Sequence, residues 1–306
     1  MDASLTVEHI REAASVVDPA FLNSPQFVYE RLGANIVLKV ETVNPIRSFK
    51  GRGTDYLLHR LGGEKRELVC ASAGNFGQGM AYACRKRGVR LKVFASATAN
   101  PLKVERMRAL GATVVLVAGD FDDAKDAARK DGAMFVEDGL LGPIAEGAGT
   151  IGVELDGAQP LDAVFVPLGN GALVNGVGTW LKHHTPTKVI AVCASGAPSM
   201  ALSWQSHRPI SAPSDTIADG IAVRVPIPEA VGIMEKTVDE VMLVSDDEMR
   251  TAMRSLFYEA GLLVEPAGAA GLAAIARRRA EFSDGRVATI LTGGNVTEQQ
   301  IRDWIY

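Results

Sequence analysis

A lysine set between an aromatic residue and a glycine is the first place in this sequence where chemistry is legible, in Asn44-Pro45-Ile46-Arg47-Ser48-Phe49-Lys50-Gly51-Arg52-Gly53. An apolar run at 36–40 precedes it, so Lys50 can stand at the mouth of a strand beside the Phe49 ring. An amine is a strong nucleophile only when neutral, and desolvation in a cleft favours that form. A solvated loop lysine is the bland alternative. A second loop, Ala71-Ser72-Ala73-Gly74-Asn75-Phe76-Gly77-Gln78-Gly79, follows the apolar run 67–70 and leads into a helix through Ala83. Successive backbone N–H groups at a helix N-terminus make a ready anion site, with Asn75 as a polar handle. A plain strand-to-helix turn would read the same way. The third loop, Pro167-Leu168-Gly169-Asn170-Gly171-Ala172-Leu173, likewise opens a helix after a strand. Gly169 and Gly171 let the backbone approach a phosphate closely, and the helix dipole favours its charge. The fourth, Leu291-Thr292-Gly293-Gly294-Asn295, follows the last strand. Thr292 is either a hydroxyl for a ring nitrogen at the base of a cleft or a cap for a helix from Val296.

These loops need a scaffold that brings their mouths together. Apolar runs at 36–40, 67–70, 91–95, 113–117 and 133–136 predict a first group of strands, and 161–166, 188–193, 241–244 and 286–291 a second. Most are continuously apolar rather than alternating, as parallel strands covered on both faces are. Between them, 101–110 and 124–130 carry apolar residues at three- and four-residue spacing. Pro101 suits a first helical turn and Gly111 ends that helix. Repeated strand–helix–strand units predict an α/β fold with right-handed crossovers. Two lobes with the ligand between them are expected, because such sheets bind at the carboxyl ends of their strands. The Pro/Ser/Asp-rich stretch 207–228 is expected to be a long surface connection.

The bulk numbers exclude several functions. The 306 residues carry 32 basic and 36 acidic side chains, a formal charge of −4, with 47% apolar and 22% charged residues. That is ordinary globular usage, long enough for one large or two medium domains. No run of about 18 uncharged apolar residues predicts a membrane span, and Glu8 and Arg11 precede any apolar stretch, against a secretory signal. The absence of Lys/Arg blocks argues against a nucleic-acid surface. Cys70, Cys84 and Cys193 form neither a disulfide framework nor a zinc spacing, so a reducing cytoplasm is expected. Gly147-Ala148-Gly149-Thr150-Ile151-Gly152 spells the dinucleotide-binding G-x-G-x-x-G, but that fingerprint needs a strand running into its first glycine. Here the preceding strand ends about ten residues earlier, so the segment is expected to be a helix whose glycines permit close packing.

Taken in order, the four loops resemble those of the fold type II pyridoxal-phosphate enzymes, and among them the threonine/serine dehydratase branch. That branch carries Ser-Phe-Lys-x-Arg-Gly, Ser-x-Gly-Asn, a Gly-rich phosphate loop and a late Ser/Thr-Gly-Gly-Asn. The match runs from Ser24-Pro25 to Asn295; Lys39-Val40-Glu41, Ala218-Asp219-Gly220-Ile221 and Glu265-Pro266-Ala267-Gly268-Ala269 also look like family landmarks. The resemblance implies a two-lobed open-sheet α/β fold of the tryptophan synthase β-like kind. A large cofactor-binding lobe would span 1–40 and 146–306, and a small lobe 41–145 would carry the asparagine loop. Lys50 would hold pyridoxal 5'-phosphate as a Schiff base and shuttle the Cα proton. Phe49 would wall the ring, Asn75 would bond its 3'-oxygen, and Thr292 would meet its pyridine nitrogen. Backbone N–H groups of Gly169, Asn170, Gly171 and Ala172 would cradle the phosphate. The loop of Ser72, Ala73, Gly74 and Asn75 would bind the carboxylate of an amino-acid substrate. A cytoplasmic homodimer and β-elimination from threonine or serine to a 2-oxo acid and ammonia are implied. A β-replacement transferase like the cysteine synthases and a serine racemase-like enzyme are the alternatives. The cysteine synthases' asparagine loop reads Thr-Ser-Gly-Asn-Thr-Gly, unlike the one here.

The departures are as informative. Ala73 stands where family racemases place a second serine, which removes a proton carrier and favours dehydration. Cys193 and Ser199 stand where some members bind a divalent cation through Glu and Asp, so no metal is expected there. Phe76 replaces a histidine and Ile46-Arg47 a Thr-Gly, both near the expected substrate. Arg47 is either a partner for an acidic substrate or a solvated side chain. The chain stops 11 residues after Asn295, so no appended regulatory domain is expected. Glu265 is a neighbour of the ring or an N-terminal charge for the helix after it. His183 and His184 are expected to be solvated at a helix end.

Overall fold

Continuously apolar strands need cover on both faces, and this chain supplies it with helices on either side of two sheets. The computed structural model describes residues 5–30, 35–64, 66–282 and 285–306. In chain order the first elements are α1 (Val7–Val16), β1 (Gln26–Tyr29), β2 (Ile36–Val40), α2 (Lys50–Arg60), β3 (Leu68–Ala71), α3 (Asn75–Arg87), β4 (Leu91–Ser96) and α4 (Pro101–Ala109). There follow β5 (Thr113–Val117), α5 (Phe121–Arg129), β6 (Met134–Val136), α6 (Gly142–Asp156), β7 (Ala163–Pro167), α7 (Ala172–His184), β8 (Lys188–Ala194) and α8 (Ser199–Ser206). The remainder is α9 (Pro228–Thr237), β9 (Glu240–Val244), α10 (Asp246–Ala260), α11 (Pro266–Arg277), β10 (Val287–Leu291) and α12 (Glu298–Trp304).

The strands sort into a six-stranded sheet, β1-β2-β10-β7-β8-β9, and a four-stranded sheet, β5-β4-β3-β6. All pairings are parallel except β1 with β2, as the α/β expectation requires. β1 is the strand the sequence did not announce. It is an antiparallel edge of four residues with Phe27 and Val28 exposed, too short and too open to show a clear pattern. Its register runs from Gln26 opposite Lys39 to Tyr29 opposite Ile36. The central strands β7 and β10 are buried throughout, and apolar clusters fill the space between sheet and helices on both faces. The connection expected at 207–228 is irregular up to α9, which begins at Pro228, apart from a single 3-10 turn, Asp219–Ile221.

The G-x-G-x-x-G stretch lies wholly inside α6, between α2 and α7. A Cβ on Gly147 would stand 2.5 Å from the Arg52 carbonyl oxygen, and one on Gly176 of α7 would stand 2.0 Å from that of Ala145. These glycines therefore serve helix–helix contact, and that contact fixes α2, the helix that begins with Lys50.

Candidate active site

The first loop is folded by its own asparagine. The Asn44 amide oxygen accepts the backbone N–H groups of Ile46 and Ser48, each at 3.2 Å, and its amide nitrogen donates to the Glu41 carbonyl at 2.9 Å. Ser48 then donates through Oγ to the Thr292 carbonyl at 3.1 Å, and the Phe49 N–H reaches the same oxygen at 3.1 Å. The Gly294 N–H bonds the Arg47 carbonyl at 3.0 Å, and the Asn295 amide donates to the Ile46 carbonyl at 2.9 Å. The first and fourth loops are thus one hydrogen-bonded unit although 244 residues separate Ser48 from Thr292.

The second loop joins them through side chains. Ser72 Oγ accepts the N–H groups of Gly74 (3.1 Å) and Gly77 (2.9 Å), which turns the chain into α3. Asn75 opens that helix. Its amide oxygen accepts from the Asn295 side chain at 2.8 Å and its amide nitrogen donates to Glu265 Oε1 at 2.7 Å. Glu265 is the N-cap residue of α11, yet its carboxylate does not cap the helix by a side-chain hydrogen bond; it turns to Asn75 and accepts the Asn295 N–H at 3.3 Å. Burial pushes the Glu265 carboxyl above its ordinary range, and the charge of Lys103 only partly opposes this. The two expectations for Glu265 therefore meet in one residue, which both stands at a helix N-terminus and lines the cleft.

In the third loop, Gly171 takes φ +96°, a conformation glycine adopts readily, and is the N-cap residue of α7 with no side-chain cap. The Ala172 N–H donates to the Asn170 side chain at 3.2 Å, so that donor is occupied within the loop.

All four loops line one cleft of about 480 Å³ between the two sheets' strand ends. Phe49, Lys50, Ser72, Ala73, Gly74, Asn75, Gly169, Asn170, Gly171 and Thr292 all line it. Ala172 lies one residue outside that lining. Lys50 Nζ stands 5.0 Å from the centre of the Phe49 ring and 5.9 Å from that of Phe76. Its ionic partner is Asp138, with Oδ2 at 2.6 Å, just beyond β6. Thr292 is not a helix cap; Thr297 caps α12.

Sequence reasoning named Lys50, Asp219 and Glu265 but missed the other charges of this cleft and the way they pair. Each of its four cations holds a carboxylate: Lys50 on Asp138, Lys103 on Asp219, Lys125 on Glu137, and Arg224 on Asp120 and Asp122. Asp138 lies in Glu137-Asp138-Gly139, which looks like a solvated turn, and only the shared strand-end geometry could have found it. Behind the cleft, Arg52 is wholly buried and donates to Glu41 at 2.8 and 2.9 Å, to Glu154 at 2.6 and 2.9 Å, and to Thr150 at 2.9 Å. Burial alone would lower its pKa, but the two carboxylates outweigh that and hold it above the ordinary arginine value.

The remaining candidates lie elsewhere. Arg47 is exposed, at φ +52°, outside the cleft lining. His184 stacks on Trp180 with ring centres 4.0 Å apart at the end of α7. Cys193 is buried and its thiol is pushed up to about 12 by that burial, while Ser199 donates to the Val223 carbonyl at 2.6 Å. Among the described residues no group of three or more His, Cys, Asp or Glu is placed to hold a metal ion.

Comparison with known proteins gives a consistent result. The family model described as "Pyridoxal-phosphate dependent enzyme" matches residues 19–293. An L-threonine ammonia-lyase of Thermotoga maritima is 35% identical over 97% of this chain and 77% of that protein. The processed form of threonine deaminase isoform 2 from Solanum lycopersicum superposes with a TM-score of 0.89 at 28% identity, covering 98% of this chain and 89% of the other. A maize serine racemase superposes with a TM-score of 0.91 at 25% identity, covering 98% and 96%.

Proposed function

The chain belongs to the pyridoxal-phosphate dependent enzymes, and from that premise we propose that it is an ammonia-lyase, eliminating a β-hydroxyl or other β-substituent from an amino acid such as threonine or serine. The products are a 2-oxo acid and ammonia. The observation that carries this reading is the convergence of Lys50, the 72–75 loop, the Gly169–Gly171 loop and Thr292 on one cleft.

The donor set fits the cofactor. A primary amine lies close to two aromatic rings, and α7 begins at the cleft with Gly171, which brings no capping side chain, so among the described residues only the Asn170 side chain, bonded to the Ala172 N–H, competes there with a phosphate. When bound, pyridoxal phosphate supplies an aldehyde and a conjugated ring that withdraws electrons from the substrate's Cα. Lys50 would hold it and take the proton from Cα. Phe49 would wall the ring, Asn75 would donate to its 3'-oxygen with the amide hydrogen that Glu265 leaves free, and Thr292 would meet its ring nitrogen. The N–H groups of Gly169, Asn170 and Gly171 would hold the phosphate, with Ala172 joining if Asn170 releases it. The Ser72, Ala73, Gly74 and Asn75 loop would bind the substrate carboxylate.

A hydroxyl at Thr292, unlike a carboxylate, does not keep a ring nitrogen protonated, so loss of a β-leaving group competes well against longer-lived carbanion chemistry. Ala73 lines the cleft with a methyl group, which carries no proton for racemisation. The same proposal assigns 1–40 and 146–306 to a large lobe and 41–145 to a small one, supported by the partition of the strands between two sheets. It also takes the protein as a homodimer in the cytoplasm; three free, buried cysteines suit a reducing compartment. No helix among the described residues is long and apolar enough to cross a membrane.

The test is release of oxo acid and ammonia from threonine, serine and other β-substituted amino acids by the loaded enzyme. The proposal expects both products in equal amounts from at least one of them. Rapid interconversion of serine enantiomers without either product would overturn it in favour of racemisation.

A further inference from the structure

Asp138 is a charged group in the cleft to which the proposed chemistry gives no task. Its Oδ2 lies 2.6 Å from Lys50 Nζ, and its Oδ1 is buried with no hydrogen-bond partner among the described residues. A buried carboxylate oxygen left without a donor is costly, so a ligand that brings one gains affinity. On the lyase reading, Lys50 Nζ must come within about 3–3.5 Å of the substrate's Cα. The β-carbon is one bond of about 1.5 Å further on. A group beside Nζ therefore lies within reach of whatever the β-carbon carries. The rest of the lining points the same way, with six carboxylates against four cations, every cation already paired.

We propose that Asp138 reads the substrate's β-substituent, and that the enzyme takes amino acids whose β-group donates a hydrogen bond, a hydroxyl or an ammonium, and rejects those whose β-group is anionic, a carboxylate or a phosphate. This rests on the lyase reading and narrows it. A donor on Cβ satisfies the open oxygen of Asp138. An anion there meets a carboxylate at close range with no spare cation to offset it.

α-Methyl amino acids lack the Cα proton and bind without turnover, so affinity separates from activity. The probes are α-methylserine, α-methylaspartate and 2-aminoisobutyrate, the last as an unsubstituted reference. Their dissociation constants are measured by calorimetry on the pyridoxal-phosphate-loaded enzyme, after mass spectrometry has established loading at Lys50. The expected order is α-methylserine tightest, by about tenfold over 2-aminoisobutyrate, the worth of one hydrogen bond to a charged group, and α-methylaspartate weakest. In Asp138→Asn the gap between the serine-type and aspartate-type probes shrinks by about tenfold. Equal binding of α-methylserine and α-methylaspartate by the wild type overturns the proposal without any variant. So does an unchanged gap in Asp138→Asn. Both results leave the lyase reading intact, whereas failure to load at Lys50 removes that reading and this inference with it.

Discussion

Lys50 and Arg52 stand two residues apart in the first turn of α2, carry the same charge, and do opposite work. Arg52 is fully buried and its guanidinium donates to Glu41, Glu154, Thr150 and Ser24. Lys50 is 14% exposed, faces the cleft and has one ionic partner, which itself keeps an open oxygen. A planar, permanently charged fork suits the first setting and a compact amine that can lose its proton suits the second. Saturated partners mark a residue that holds the fold; open ones mark a residue that waits for a ligand. The two are coupled, because Arg52 ties α2 to the end of β2 through Glu41, the residue after that strand, and to α6 through Glu154, and so fixes where Lys50 begins.

Substitution separates the two roles. In Lys50→Ala, turnover falls by about three orders of magnitude or more, as loss of a covalent and acid–base group does. Folding stability falls by less than in Arg52→Ala, since one carboxylate rather than two loses a partner. In Arg52→Ala, urea unfolding shows a loss of about 3–5 kcal/mol, because the buried Glu41 loses its ionic partner and Glu154, among the described residues, keeps only Lys39. If Arg52→Ala unfolds like the wild type, the buried network is not what anchors α2.

The smallest effect is the acid response of that network. Burial raises the Glu154 carboxyl, but hydrogen bonds and charge from Arg52 and Lys39 more than reverse this and leave it below its ordinary value of 4.5. A carboxyl with a depressed folded pKa contributes stability that is present above 4.5 and is lost as the pH falls through the folded value. The expected outcome is a decline of the urea midpoint below pH 4.5 that is shallower in Glu154→Gln, whose plateau is lower from the start. Identical slopes would mean that Glu154 is not part of the acid response.

The comparison also shows what a sequence can and cannot display. The four loops were legible because each is a glycine-rich turn after an apolar run, and parallel sheets put such turns at one edge. Strand ends shifted by a residue or so: β3 runs to Ala71 and β7 to Pro167, since pairing with neighbours rather than apolarity decides where a strand stops. Arg52 was visible as part of a motif, but its partners lie 11 and 102 residues away and no local pattern names them. Asp138, 88 residues from Lys50, was hidden for the same reason, and its sequence neighbours suggest only a turn. β1 was missed because a half-exposed edge strand needs no apolar run.

The central claim is covalent attachment of the cofactor at one amine. Hydride reduction of the loaded protein, followed by peptide mass spectrometry, tests it directly. The account predicts the added coenzyme mass on the peptide containing Lys50, and none in Lys50→Ala. Finding that mass on another lysine, such as Lys103 in the same cleft, or on no peptide at all, would contradict it.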